Sequence, residues 1–318
     1  MTRAFEHTTS AMGTVVSIRV VGDDVQAGAA HVARAFEWFT RVEAICSRFD
    51  ASSELRQLAT VVGAPVAVSD ILFEAVRFAL VVAESSDGAF DPTIGATMEA
   101  NGFDQSWRTG ATVQSLVMPA PQVSWRDVQL DEDARTITVM RPLLLDLGAV
   151  AKGMAIDLAA NELADVANFA IDAGGDLYLA GHNERGEPWS VGIKHPRASD
   201  ALLARLRVRD VAVCTSGDYE RRVRVSATRE SSHIVDPRLG TAAREGARDV
   251  ISATVIATNA MTADALATTA FVLGTRDGLT FLEAHKVDGM LVDADLCCYA
   301  TRGMDAYSEH SEVSHVAR

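Results

Sequence analysis

The stretch Thr14-Val-Val-Ser-Ile-Arg-Val-Val21 is β-rich, and the residues after it, through Val32, Phe36, Phe39 and Cys46, fall at helical spacing. Ser53 ahead of Glu54 and Leu55 opens a second, short helix, and Ser69-Asp70 opens a third that runs to about Ala83. In both places a hydroxyl stands ready to accept the first free amides of the helix. One strand followed by three helices is not the strand–helix–strand alternation of a doubly wound sheet. Further on, strands are expected at Thr136–Met140, Leu143–Asp146, 168–172, 189–193, 205–214, 251–257 and 289–292, with helices at 150–166 and around Asp264. Strands outnumber helices, so the expected class is α+β, with mixed, largely antiparallel sheets packed with helices. No repeat or linker stands out. Residues 1–318 read as one domain, with a loop-rich insertion at about 87–128 holding Trp107, Trp125 and several prolines, and a polar tail at about 308–318.

With 318 residues and 48% hydrophobic content, the chain can bury a large core. Lys and Arg total 29 against 43 Asp and Glu, a formal charge of −14, which argues against nonspecific binding to nucleic acid or anionic membranes. A phosphate-bearing ligand therefore needs local help, from a divalent cation or from backbone N–H groups in Gly-rich turns and at helix starts. The four cysteines, Cys46, Cys214, Cys297 and Cys298, form no CxxC pair and no His/Cys cluster at zinc spacing, which fits a reducing compartment. The first residues carry no apolar signal-like core, and no window reaches the about 18 apolar residues of a membrane span. The expectation is a cytoplasmic protein without membrane insertion.

Several familiar chemistries are absent: there is no GxGxxG after a strand, no Walker A sequence, no HExxH and no GxSxG. What remains is a series of short turn motifs. Asp264-Ala-Leu-Ala-Thr268 sets a carboxylate and a hydroxyl four apart in an apolar helical stretch, on one helix face. A carboxylate among apolar neighbours is costly unless compensated, and a hard cation held by oxygens is one such partner. The plainer alternative is that Asp264 sits in a first helical turn and complements the helix dipole. Asp146-Leu-Gly148-Ala-Val-Ala-Lys152-Gly153-Met-Ala-Ile-Asp157 runs from an apolar strand into a helix, either an anion dock or an ordinary corner with an exposed Lys. Gly88-Ala-Phe-Asp91-Pro92-Thr93, Asp172-Ala-Gly174-Gly175-Asp176 and Ser216-Gly217-Asp218-Tyr219 each read locally as turns. His233 lies three before Asp236-Pro237 and seven before Gly240, in a polar, turn-rich neighbourhood where an imidazole titrates near neutrality.

Taken together, these motifs resemble the ApbE family, the FAD:protein FMN transferases, from Met12 to about Gly274. The matching residues are Met12-Gly13-Thr14, Ser47-Arg-Phe49 with Ser53-Glu54-Leu55, Gly88 to Thr93, and Asp146-Leu-Gly with Lys152-Gly153 and Asp157. They continue with Gly174-Gly-Asp176, Ser216-Gly-Asp-Tyr219, His233-Ile-Val-Asp-Pro237 with Gly240, and Met261-Thr-Ala-Asp264-Ala-Leu-Ala-Thr268. Each motif is weak alone, and eight in order are specific.

The resemblance implies an enzyme that binds FAD with Mg2+ and transfers its FMN half to a Ser or Thr hydroxyl of an acceptor flavoprotein, forming a phosphoester and releasing AMP. It implies Asp264 and Thr268 as magnesium ligands, with Ala149, which lacks a side-chain oxygen, limited to its carbonyl. It implies FAD contacts at Met12, Phe49, Ala89, Phe90, Asp91, Asp146, Lys152 and Val235, and His233 as general base, a sensible role because an ordinary imidazole pKa of about 6.5 leaves much of it neutral at pH 7. Phe49 stands where the family commonly has Tyr, Met154 where an aromatic is frequent, and Asp172 where Asn is frequent. Many relatives carry an export signal; its lack here favours an intracellular acceptor. Two other readings stay open on sequence: a magnesium-dependent FAD pyrophosphatase giving FMN and AMP, and an FAD carrier without turnover.

Overall fold

Alternation along Thr14–Gly22 buries Val16, Ile18 and Val20, and in the computed structural model this segment is a strand near one edge of a large sheet. The structure describes residues 3–22, 25–219, 222–224, 230–242 and 250–308. In chain order the first elements are β1 (Arg3–Ala11), β2 (Thr14–Gly22), α1 (Val25–Cys46), α2 (Glu54–Leu58), β3 (Pro65–Ala67), α3 (Asp70–Ser85) and α4 (Gly95–Ala100). Next come β4 (Val128–Asp131), β5 (Thr136–Val139), α5 (Gly148–Glu162), β6 (Phe169–Ala173), β7 (Asp176–Ala180), β8 (Trp189–Lys194), β9 (Leu202–Val208) and β10 (Val211–Gly217). The remainder are β11 (Arg222–Arg224), β12 (Glu230–Ser232), β13 (Val235–Asp236), β14 (Thr241–Ala242), β15 (Val250–Ala257), α6 (Ala260–Leu273), α7 (Thr275–Ala284), β16 (Asp288–Asp293) and β17 (Cys298–Ala300). The chain's contacts divide it into two compact units.

The first unit comprises Met1–Thr40, Lys152–Glu220 and Gly246–Arg318. Its frame is an eight-stranded sheet in the order β1-β2-β6-β7-β10-β15-β16-β17, with every neighbouring pair antiparallel. β1 and β2 form a hairpin whose two-residue loop is Met12 (φ 52°) and Gly13 (φ 75°), both left-handed as a tight primed turn requires. β15 is buried along its whole length, and α6 packs on it and on β10. The β8–β9 ribbon packs Trp189, Val191, Ile193, Leu206 and Val208 into one cluster with Leu179, Val213, Ile256, Met290 and Val292 of the sheet. Val213 joins that cluster while the neighbouring Cys214 directs Sγ to the Ala260 carbonyl of α6 at 3.7 Å. Neighbours on a strand point to opposite faces, so ribbon and helix cover opposite sides of the sheet.

The second unit comprises Arg41–Ala151 and Arg221–Glu245. Here α3 buries Leu72, Phe73, Val76, Ala79 and Val82, beside a three-stranded sheet ordered β3-β5-β4 whose Ile137 and Val139 are buried. The expected Ser caps are present: Ser53 Oγ accepts from Arg56 N at 3.1 Å and Ser69 Oγ from Leu72 N at 3.3 Å. Glu54 accepts from Ser69 N at 2.6 Å and so ties α2 to the start of α3. The loop-rich stretch is anchored from α1 by Glu43, which accepts from Trp107 Nε1 at 2.6 Å and Arg108 Nη2 at 2.7 Å.

The α+β class with antiparallel sheets is as expected, with local corrections. Leu143–Asp146 is no strand. Leu143, Leu144 and Leu145 are buried, but only Leu144 bridges, to Ile94, and Asp146 N donates to Pro92 O at 2.7 Å. The expected strand 205–214 is two strands, β9 and β10, parted at Asp210, whose φ of 56° turns the chain. Ser216 and Gly217 close β10, so only the second half of Ser216–Tyr219 is a turn. β1, β3, β4, β7, β11, β12, β13, β14 and β17 lie outside the expected strands; most are short, and β1 is mostly exposed and so carries no alternating apolar signal. Of the polar tail, Ser308 pairs with Leu206, and 309–318 lie outside the described residues.

Candidate active site

In the first unit the site is built around the start of α6. Asn259 caps it, its Oδ1 accepting from Thr262 N at 2.8 Å, and Asp157 of α5 accepts from Ala260 N at 2.6 Å and Met261 N at 2.9 Å. The two helices meet closely because residue 153 is glycine: a Cβ there would lie 2.5 Å from the Ala260 carbonyl oxygen and the Met261 Cα. Burial pushes the Asp157 carboxyl up to about 6 against the pull of those two amides, and the charge of Asp264 adds to the rise.

Asp264 is the fifth residue of α6, past the first turn, which removes the dipole account of it. It is 6% exposed, and Thr268 lies one turn on, its Oγ1 3.0 Å from Ser216 Oγ at the end of β10. The Lys152 Nζ lies 3.3 Å from Asp264 Oδ2 and is in closer contact with Asp176 Oδ2. Asp176 opens β7, delivered there by Gly174 and Gly175 at φ 67° and 95°, and its Oδ1 accepts from Thr215 N at 3.1 Å. Two buried carboxylates thus share one ammonium and keep a net negative charge. Among the described residues no group of three or more His, Cys, Asp or Glu that could hold a metal is gathered. The donors at hand are instead one or two carboxylates, hydroxyls and backbone carbonyls, which suits a hard cation that takes its remaining ligands from substrate and water.

In the second unit Arg48 links two expected contacts, Asp146 and Phe49. Its Nε donates to Asp146 Oδ2 at 2.6 Å, its Nη2 to the Phe103 carbonyl, and its guanidinium lies 4.1 Å from the Phe49 ring centroid. Asp146 also accepts from Gly148 N at 2.7 Å, which fixes the entry to α5, and the next residue, Ala149, departs from helical geometry at φ −95°, ψ 15°. Asp91 turns Oδ1 to Thr93 N and Oγ1 at 2.8 and 2.7 Å and Oδ2 to Trp125 N at 3.0 Å; burial nonetheless pushes its carboxyl upward. Ala89 and Phe90, in the same turn, are buried. Among the described residues of this unit, three buried side-chain donors have no hydrogen-bond partner, Arg48 Nη1, Asn101 Nδ2 and Trp125 Nε1. His233 lies between β12 and β13, half-buried, followed by the buried Val235 and by Asp236, which is held by Arg238 at 2.9 and 2.8 Å.

Of the expected site residues, then, Lys152, Asp264 and Thr268 gather in the first unit, while Met12 occupies the β1–β2 turn. Phe49 and Asp146 gather around Arg48 in the second. Asp176 and Arg48 were visible in motifs yet carried no assigned role. Their partners lie 24 and 98 positions away, and neither separation leaves a local signal.

Lys152, shared between Asp264 of α6 and Asp176 of β7, is the charged centre of the first unit's site. The ApbE family matches residues 12–291, and the chain belongs to that family. It is 30% identical to a FAD:protein FMN transferase of Vibrio cholerae over 72% of this chain and 68% of that protein. A Haemophilus influenzae protein of the same name is 28% identical over 86% and 81%. Among solved structures, an ApbE protein of Thermotoga maritima superposes with a TM-score of 0.83 at 28% identity, covering 97% of this chain and all of that one. The flavin transferase ApbE of Vibrio cholerae gives 0.80 at 25%, covering 96% and 100%.

Proposed function

We propose that this chain transfers the FMN half of FAD to a Ser or Thr hydroxyl of an acceptor flavoprotein, in a magnesium-dependent reaction that releases AMP. Relatives over most of its length bear the transferase name. The observation that carries the reading to these residues is Asp264, buried on α6 one turn from a hydroxyl and sharing a single ammonium, that of Lys152, with Asp176. The oxygen donors of the first unit fit magnesium: Asp264 and Thr268 would hold it. When bound, the ion would draw charge from the diphosphate and ease departure of the AMP phosphate. Lys152 offers a second positive charge to that diphosphate in a protein of net charge −14.

The unpartnered Arg48 Nη1 and Trp125 Nε1 supply buried donors for an acceptor-rich ligand, and the Phe49 ring supplies a stacking surface without the phenol of its relatives. Met12, the Ala89-Phe90-Asp91 turn, Asp146 and Val235 are the further FAD contacts in this reading. His233 takes the proton of the acceptor hydroxyl while that oxygen bonds to the FMN phosphorus. The bond from that phosphorus to the AMP oxygen breaks, and AMP leaves with the electron pair. Both units serve one transferase domain, as the family match across 12–291 supports. Among the described residues no helix is long and apolar enough to cross a membrane. We assign the protein to the cytoplasm on its four free thiols, of which Cys297 is exposed.

The test is incubation with FAD and Mg2+, with and without a candidate acceptor. Flavin fluorescence that stays on the acceptor through denaturing electrophoresis, with AMP released in step, is the expected result. Free FMN without labelling identifies a pyrophosphatase instead, and FAD retained intact over hours identifies a carrier.

A further inference from the structure

Lys152 faces two carboxylates that are not equivalent. Asp176 makes the closer contact and is itself fixed, since its other oxygen accepts from the Thr215 amide at 3.1 Å. Asp264 stands 3.3 Å from the same ammonium, and its hydrogen bond from Lys152 is a long one. The three side chains are 19%, 6% and 9% exposed for Lys152, Asp176 and Asp264, so little water screens the charges. An ammonium and a divalent cation that seek the same carboxylate oxygen exclude one another by repulsion as well as by space.

We propose that Asp176 is a positioning residue that holds the Lys152 ammonium off Asp264 and so keeps the Asp264 carboxylate open to a divalent cation. Lysine and cation compete for Asp264, and Asp176 decides the competition. This rests on the reading of Asp264 as a cation ligand. With Asp176 neutral, Lys152 has one carboxylate left, and its whole charge falls on Asp264. The Gly174-Gly175-Asp176 turn then has a function beyond joining β6 to β7: it delivers the acid that parks the lysine.

The experiment is direct Mn2+ titration of FAD-free protein by electron paramagnetic resonance, in wild type, Asp176→Asn, Lys152→Gln and the double variant, with circular dichroism to verify folding. Asp176→Asn should weaken Mn2+ binding by about 10- to 100-fold, the range for residues that support metal ligands. Lys152→Gln should tighten it, because the competitor is gone. The double variant should recover most of the affinity lost in Asp176→Asn, which a merely structural role for Asp176 does not produce. Equal affinity in wild type and Asp176→Asn, or a double variant as weak as Asp176→Asn, overturns the proposal. If Asp176→Asn does not fold, Lys152→Gln decides alone, and binding no tighter than wild type overturns it. A wild type that takes up no Mn2+ overturns the cation reading itself and this inference with it.

Discussion

Arg197 grips Asp218 through two parallel hydrogen bonds, Nη1 to Oδ1 at 2.8 Å and Nη2 to Oδ2 at 2.9 Å. The Asp218 side chain is 1% exposed and that of Arg197 34%, and the bonds to Asp218 raise the guanidinium above its ordinary range. Asp218 directly follows Ser216 and Gly217, and Ser216 Oγ touches Thr268 Oγ1. The pair therefore pins the strand end that carries the partner of Thr268. Arg197→Ala removes both of these charge-assisted bonds from a buried carboxylate, so it should destabilise the protein by about 2 kcal/mol. Lysine lacks the planar fork and should restore only part of that. Thermal unfolding measures both, and an unchanged midpoint in Arg197→Ala would show that Asp218 does not depend on it.

Asp157 gives stability a defined pH dependence. Its folded carboxyl titrates near 6, raised by burial, against an ordinary value of 3.8. Below the ordinary value both folded and unfolded chains hold the proton; between the two values only the folded chain does. Stability from this group is thus fully present below about pH 4 and is lost as pH rises through 6, by on the order of 3 kcal/mol. Asp157→Asn should abolish that slope. Denaturant unfolding of both proteins from pH 4 to 7.5 checks it; parallel curves contradict the assignment.

Much of this architecture can be read from residue patterns, and the gaps have physical causes. The strand at Thr14–Gly22 and the helices behind Ser53 and Ser69 announce themselves because period and cap are local properties. The Leu143–Leu145 run is buried like a strand, yet an apolar run does not say whether its backbone groups find a ladder or, as here, isolated partners. The break at Asp210 is invisible because a non-glycine residue takes the left-handed turn. At the site, the Asp264–Thr268 spacing is legible because four residues make one helical turn. The Asp176–Lys152 contact is not, because only the sheet order brings β7 beside the strand that α6 covers.

Asp264→Asn keeps the shape of the side chain and removes its charge. The helix start should be unaffected, since Asn259 and Asp157 satisfy its first amides independently of residue 264. Folding should survive, and magnesium-dependent AMP release from FAD should disappear, because a neutral amide is a poor ligand for a hard cation. A chromatographic assay of AMP, beside a thermal melt, separates the two effects. AMP release at the wild-type rate would remove Asp264 from the cation site.

His233→Ala tests the proton transfer. The residue stands on a supported platform: β13 pairs with β14, Val235 is buried behind it, and Arg238 clamps Asp236. Trimming the imidazole should therefore leave the local backbone in place and act on chemistry. If His233 accepts the proton of the acceptor hydroxyl, transfer should slow by about 10²- to 10⁴-fold, while FAD affinity, measured by flavin fluorescence titration, changes little. A transfer rate equal to wild type would mean that His233 supports the β12–β13 connection and takes no part in the reaction.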